Sequence, residues 1–562
     1  MSTILTLHDP QTARRHYEAG FWREDTMYAL LARHAAERGT ACALRDSRHR
    51  LTWAQLRAWV DALAADLHQA GLRRGQRVSV WLPNRVEAVV VMLACSRNGY
   101  VCNPSLHQNY TVAEVVELLK RIHTAAFFAQ RGHGADAGRQ DVFAAARSIP
   151  CMKRIYQLAP ADDEKQAPHG YAAFPPIGNV PLEGTLPDPD ASPDKIVYLA
   201  FTSGTTGTPK GVLHSDNTLL ANGRAMVKDW RHDGRTVLLT HSPLSHHIAT
   251  VALEQSLVAG FELVVNDPPP GMKPLDWIIA TGATYVMGVP THAIDVLADM
   301  KRRGLERLGQ VSLFYMAGSI IPSETAQSFL AMGIKPQNIY GMTENGSHQY
   351  TLPDDDAEVI TSTCGKACHG YETRLFDQEN PDVEAKPGEI GEIGTRGALL
   401  MLGYFDNQIA TENSFNAGGW FMSGDLGRFD AHGNLQIVGR KKDLIIRGGY
   451  NIHPGRIEGM ALKHPGVLKA AAFPVADGRL GERVCLAVIA REGATLAADE
   501  VLEHLHAAGL SKYDMPEFFI ALDAFPLTAS GKILKRELVE WVKAGRITPA
   551  PVRWAPREGR DP

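Results

Sequence analysis

The sequence predicts an α/β protein: a large N-terminal domain of parallel-sheet βα layers, then a smaller α+β domain. Three observations carry this. The chain is 562 residues long, more than one hydrophobic core ordinarily holds. Through the first part, short apolar runs alternate with segments of helical period. Near Arg440–Asp443 that pattern gives way to shorter, mixed elements.

The elements follow in order. Trp53, Leu56, Val60, Leu63 and Leu67 step by three and four, so Leu51 to Leu72 reads as a helix with Thr52 as its N-cap. Arg77 to Leu82 (RVSVWL) is a short strand. Val86 to Arg97 is almost free of charge and reads as a helix buried on most sides. Thr111-x-x-Glu114 is a capping box that opens a helix through Ile122, and Ala125 to Phe128 is a strand. Pro160 to Lys195 is rich in Pro, Asp and Gly without a period. It reads as a long surface connection, because βα patterning resumes at Ile196. The domains are therefore expected at 1–440 and 441–562. In the second, LIIRGG is extended, GRIEGMAL is helical, VLKAAAFPV and RVCLAVIA are strands, and a helix lies near Asp499–Ala508. The tail PAPVRWAPREGRDP is expected to be poorly ordered.

Composition excludes several classes. The formal net charge of −4 argues against a general nucleic-acid binder. No apolar run approaches the ~20 residues of a membrane span, and the N-terminus lacks a signal-peptide pattern. Seven scattered cysteines make no disulfide framework, and Cys364-x-x-x-Cys368-His369 lacks a second pair at zinc spacing. The expected compartment is the cytoplasm.

The chemistry starts at Tyr198–Val212, YLAFTSGTTGTPKGV. An apolar strand runs into a stretch of small, hydroxylic residues and Gly, and GVLH then reads as a second strand. Backbone N–H groups of a Gly-containing turn make an anion-binding nest. Thr202, Ser203, Thr205 and Thr206 add hydroxyls, Gly204 and Gly207 add freedom to bend, and Lys210 adds charge. The order differs from the Walker phosphate loop. For SGTTG alone, a polar hairpin loop remains the competing reading.

The longer string TSGTTGTPKG resembles the phosphate-binding signature of the adenylate-forming superfamily: acyl- and aryl-CoA synthetases, peptide-synthetase adenylation domains and luciferases. Four further stretches resemble that family in the right order: NIYGMTEN (338–345), WFMSGDLGRFD (420–430), IVGRKKDLIIRGGYNIHP (437–454) and PLTASGKILKREL (526–538). Together they span nearly the whole chain. The resemblance implies a reaction in two halves: a carboxylate attacks ATP to give an acyl-adenylate and pyrophosphate, then the thiol of CoA displaces AMP. It implies that Glu344 binds Mg2+ and Thr343 touches the α-phosphate. Tyr340, followed by Gly341, would stack on adenine, with Gly318 and Ser319 on its other side. Asp425 would take the ribose hydroxyls, and Arg440 would reach ribose or phosphate. Lys532 would bridge carboxylate and α-phosphate, and Lys442 would be the hinge about which the small domain rotates, bringing the Gly448-Gly449 turn to the pantetheine arm. His246 would gate the acid, and Gly346, Ser347 and His348 would lie at the pocket floor, where small residues leave volume.

Three departures stand out. Many CoA synthetases carry Asp at the hinge. The family shows a Gly-Ala-Pro-like run where this chain has AGSIIP, and often an aromatic at Ser245. No Asp stands in PLSHHIATVA to bind an ammonium, so free amino acids are not expected. A medium-chain, alicyclic or aryl acid is expected, on a monomer or homodimer. The alternatives are an adenylation enzyme loading a carrier protein in trans, a luciferase-type oxygenase and a non-enzymatic nucleotide-binding regulator. The presence of both Glu344 and Lys532 argues against a dead site.

Overall fold

The computed structural model describes residues 6–160, 171–178, 186–202, 209–318, 321–448, 450–527 and 533–554. Two compact units emerge. One comprises Met1–Thr373 with Thr395–Phe415, the other Arg374–Gly394 with Asn416–Pro562.

The first unit is built on two sheets. In the nine-stranded sheet, Lys335–Met342, Leu313–Met316, Tyr285–Gly288, Val237–Thr240, Glu262–Val265 and Cys42–Arg45 are consecutive parallel neighbours, with antiparallel strands added at both ends. In the six-stranded sheet, Arg154–Leu158, Thr124–Gln130, Arg77–Trp81, Val101–Asn103 and Ile196–Thr202 are parallel, and Lys210–Ser215 closes one edge antiparallel. Parallel strands need helices over both faces, which is why their residues are apolar throughout rather than alternating.

The helix starts agree with their sequence signals. Thr52 caps Trp53–Gln69, and Thr111 caps Val112–Arg121. Each makes a full capping box, with Gln55 and Glu114 respectively. The helix Val86–Asn98 is buried from Val86 to Arg97, as its scarcity of charge leads one to expect. Helices Asp216–Asp229 and His247–Ala259 pack so closely that a Cβ on Gly223 would meet the Glu254 backbone at 2.8 Å. The second of these faces Tyr198 of the six-stranded sheet on one side. On its other sides it packs on strands Val237–Thr240, Glu262–Val265 and Tyr285–Gly288 of the nine-stranded sheet.

In the second unit, Gly481–Ala490 pairs with Val467–Asp477 antiparallel and with Phe518–Ala521 parallel. Helices Pro454–Ala461, Ala498–Ala507 and Lys535–Lys543 complete the α+β pattern. The tail differs from expectation over its first part. Ala550–Pro551 pairs with Phe518–Phe519, and the Trp554 ring lies 4.0 Å from that of His506. An unpaired strand edge and an aromatic ring supply the ordering that composition alone does not reveal.

Candidate active site

The Gly-rich stretch begins at the tip of a hairpin. Strand Ile196–Thr202 pairs with Lys210–Ser215, and Thr202 stands opposite Lys210 in the register. Ser203, Gly204, Thr205, Thr206 and Gly207 lie outside the described residues, as do Ser319, Gly449 and Lys532.

Glu344 is the centre of the arrangement beside this hairpin. It is buried, and its Oε1 accepts from the Tyr404 hydroxyl at 3.0 Å and from Thr202 Oγ1 at 3.5 Å. Burial pushes its carboxyl pKa up, and Tyr404, Lys210 and Thr202 partly offset that shift. The Lys210 ammonium sits 4.7 Å from the centre of the Tyr404 ring, a cation–π contact. A carboxylate and a lysine thus meet one phenol, and a threonine hydroxyl meets the same carboxylate oxygen.

Tyr404 is absent from the sequence reading. It belongs to a segment that adds to the hairpin as an extra strand: Leu402 N donates to Leu213 O at 2.8 Å, and Phe405 N to Gly211 O at 2.7 Å. Met401 N donates to Glu344 O at 2.7 Å, so the same segment holds the backbone of Glu344. The only local signal is Gly403, at φ +110, in the run LLMLGYF. His214 was also missed. Its Nε2–H donates to the Thr343 carbonyl at 2.7 Å, and Nδ1 lies 3.0 Å from Thr218 Oγ1. Burial holds this imidazole neutral, with its pKa pushed down to about 4.

Tyr340 is buried, with its ring edge-on to His348 at 5.3 Å. Gly341 is sterically required, since a Cβ there would sit 1.9 Å from Gly346 O across the hairpin. Gly346 has φ +61, and the space its Cβ would fill is taken by Asn222 Oδ1 at 2.6 Å. The small residue at 346 therefore makes room for an amide of the protein. Gly318, two residues past the end of strand Leu313–Met316, takes φ +93. His246 is the N-cap residue of helix His247–Ala259, and its ring lies 6.1 Å from that of His107, whose Nδ1 is 2.9 Å from Ser245 Oγ.

In the second unit, Asp425 and Arg440 stand opposite each other in register, with Arg440 Nε 3.2 Å from Asp425 Oδ1. Lys442 lies in a 3-10 turn, Lys441–Asp443, and burial followed by the Arg440 charge lowers its pKa. Gly448 takes φ +59 and donates its N–H to Leu480 O at 2.7 Å, in the turn between strands Ile445–Arg447 and Tyr450–Ile452. Lys535, at the start of helix Lys535–Lys543, pairs with Glu458 at 2.6 Å. Among the described residues, no group of three His, Cys, Asp or Glu is placed to hold a metal, and no helix is long and apolar enough to cross a membrane.

Comparison with known proteins places this arrangement in a class. The model of the AMP-binding enzyme family matches residues 31–405, and that of the AMP-binding enzyme C-terminal domain matches 456–532. The chain belongs to the AMP-binding enzyme family, in the acid–CoA ligase branch of the adenylate-forming superfamily. It is 28% identical over 541 residues to the medium-chain fatty-acid–CoA ligase of Escherichia coli K12, covering 95% of this chain and 93% of that protein. It is 31% identical over 554 residues to a salicylyl-CoA synthase / salicylate adenylyltransferase of Streptomyces sp, covering 95% and 96%. Among solved structures it is similar to ATP-bound MatB from Rhodopseudomonas palustris, at TM-score 0.76 and 27% identity over 92% of this chain and 99% of that one.

Proposed function

We propose that this chain joins a medium-chain, alicyclic or aryl carboxylic acid to CoA through an acyl-adenylate, with release of AMP and diphosphate, in the cytoplasm. The observation that carries the reading is the buried Glu344, held by Tyr404 and Thr202 beside Lys210 at the tip of the Gly-rich hairpin. The kinship with a medium-chain fatty-acid–CoA ligase and a salicylyl-CoA synthase supports the range of acids.

In the first half, an oxygen of the acid attacks the α-phosphorus of ATP and the bond to diphosphate breaks. The residues 203–207 and Lys210 hold the departing diphosphate, and Thr343 meets the α-phosphate. Glu344 fits a hard divalent cation, since one carboxylate oxygen together with phosphate oxygens is the donor set such an ion prefers. Mg2+ bound there supplies charge neutralisation to the triphosphate. Lys532 bridges the acid carboxylate and the α-phosphate. Tyr340, Gly341, Gly318 and Ser319 hold adenine, and Asp425, oriented by Arg440, takes the ribose hydroxyls. In the second half, the thiolate sulfur of CoA attacks the acyl carbon and AMP leaves with the bonding pair.

One lysine has no place between the reactants once the thiol arrives. We therefore assign the domains as 1–440 and 441–562, with Lys442 as the hinge and Gly448 and Gly449 on the CoA side. His246 and Gly346 border the acid. The test is a panel of carboxylic acids given to the purified protein with MgATP and CoA, following AMP release. Acid-dependent AMP release that needs CoA supports the reading. Adenylate formation with no CoA turnover on any acid overturns CoA as the acceptor.

A further inference from the structure

Helix His247–Ala259 is buried at every residue from His247 to Leu257, and it carries a carboxyl inside. Glu254 is fully buried, and neither carboxyl oxygen has a hydrogen-bond partner among the described residues. Other buried acids of this unit are paired. Asp216 meets Lys195 at 2.6 Å and Met27 N at 2.8 Å, and Glu87 forks with Arg85. Burying a carboxyl with no partner is costly and serves no packing purpose that Leu or Met would not serve better. Burial pushes its pKa well up, so the group is held neutral.

Its position is informative. A run of polar groups leads from the Thr343 carbonyl to the Tyr198 hydroxyl, against the helix that carries Glu254. His214 bonds that carbonyl, and the His214 ring stacks on that of His247 at 5.6 Å and 15°. His247 Nδ1 lies 3.2 Å from the Tyr198 hydroxyl, and Thr250 Oγ1 lies 3.5 Å from it. Glu254 follows on the same helix face, near enough to Tyr198 and Tyr315 to influence the ionisation of both hydroxyls. Tyr315 in turn bonds Ser347, three residues past Glu344 in the chain. Seven residues of helix separate His247 from Glu254, a depth of about 10 Å.

We infer that Glu254 is a specificity-determining residue that hydrogen-bonds a hydroxyl at the end of the substrate remote from its carboxylate. The inference rests on the reading of this site as one that activates a carboxylic acid. A neutral carboxyl offers one donor and one acceptor, and a hydroxyl answers both. An acid that is apolar at its far end leaves Glu254 unpaired on binding, so the plain analogue is selected against.

The experiment pairs each straight-chain acid from six to ten carbons with its ω-hydroxy counterpart and measures kcat/KM by AMP release. The parent enzyme is expected to prefer the hydroxy acid by about tenfold or more at one chain length, and less at the others. Glu254→Gln, which keeps a donor and an acceptor, retains the preference. Glu254→Leu loses it while still activating the plain acid, and Glu254→Met serves if the Leu variant does not fold. A parent enzyme with no hydroxyl preference at any length overturns the inference by itself, since it means that water satisfies the carboxyl. A preference that survives in the Leu or Met variant also overturns it. AMP release from any of the acids sustains the ligase reading in either case, so the two failures are distinct.

Discussion

Tyr404 donates its hydroxyl to Glu344 Oε1 at 3.0 Å while its ring carries the Lys210 ammonium 4.7 Å from the centre. One side chain thus fixes both the carboxylate assigned to the metal and the cation assigned to the phosphates. The hydrogen bond also offsets part of the burial that disfavours the ionised carboxylate.

Tyr404→Phe keeps the ring and loses the hydroxyl. The Glu344 carboxyl should then be harder to ionise, and Mg2+ should bind more weakly. A several-fold higher Mg2+ concentration for half-maximal diphosphate release is expected, consistent with about 1 kcal/mol for one hydrogen bond. The check is a Mg2+ titration at fixed ATP, and an unchanged midpoint would show that Tyr404 does not orient Glu344.

The upward shift at Glu344 also predicts a pH dependence of stability. A carboxyl with a raised folded pKa favours the folded state when protonated. The contribution of this group to stability is therefore fully present below the unfolded pKa of about 4.3 and is lost as pH rises through the folded value. Glu344→Gln removes that decline. Its melting temperature relative to the parent should rise between pH 5 and pH 8 in the absence of nucleotide, and a constant difference would refute the linkage.

Lys532→Ala should lose acid-dependent diphosphate exchange by on the order of 10²-fold or more, and still form acyl-CoA from supplied acyl-adenylate. The lysine is assigned to the first half only. Equal loss in both halves would sink the separation of roles.

Lys442 lies in the 3-10 turn Lys441–Asp443. Two half-reactions with different domain orientations require its backbone to take two conformations, which Pro forbids. Lys442→Pro should form adenylate within about tenfold of the parent rate and fail at thioester formation. A stoichiometric burst of diphosphate with little CoA consumed is the expected trace, after a thermal melt has excluded misfolding. CoA turnover at the parent rate would place the hinge elsewhere.

The sequence by itself determined what is local. Thr52 and Thr111 bond groups three residues ahead, so their capping boxes are written in consecutive letters. The nearly charge-free run from Val86 and the strand–loop–strand at Ile196–Ser215 are likewise contiguous. The five ordered motifs identified the family for the same reason. Only the tertiary structure decided what the chain brings together from a distance. Tyr404 reaches Glu344 across 60 residues and Thr202 reaches it across 142, and no spacing rule links them. Gly346 reads as open volume until Asn222 is seen to fill it. No motif marks Glu254, and only the packing of helix on helix and sheet shows that it is buried with no hydrogen-bond partner among the described residues. Periodicity encodes which face of an element is apolar. It does not encode which other element that face meets, because that is set by the sheet order and by the close approach of backbones that glycines such as Gly223 permit.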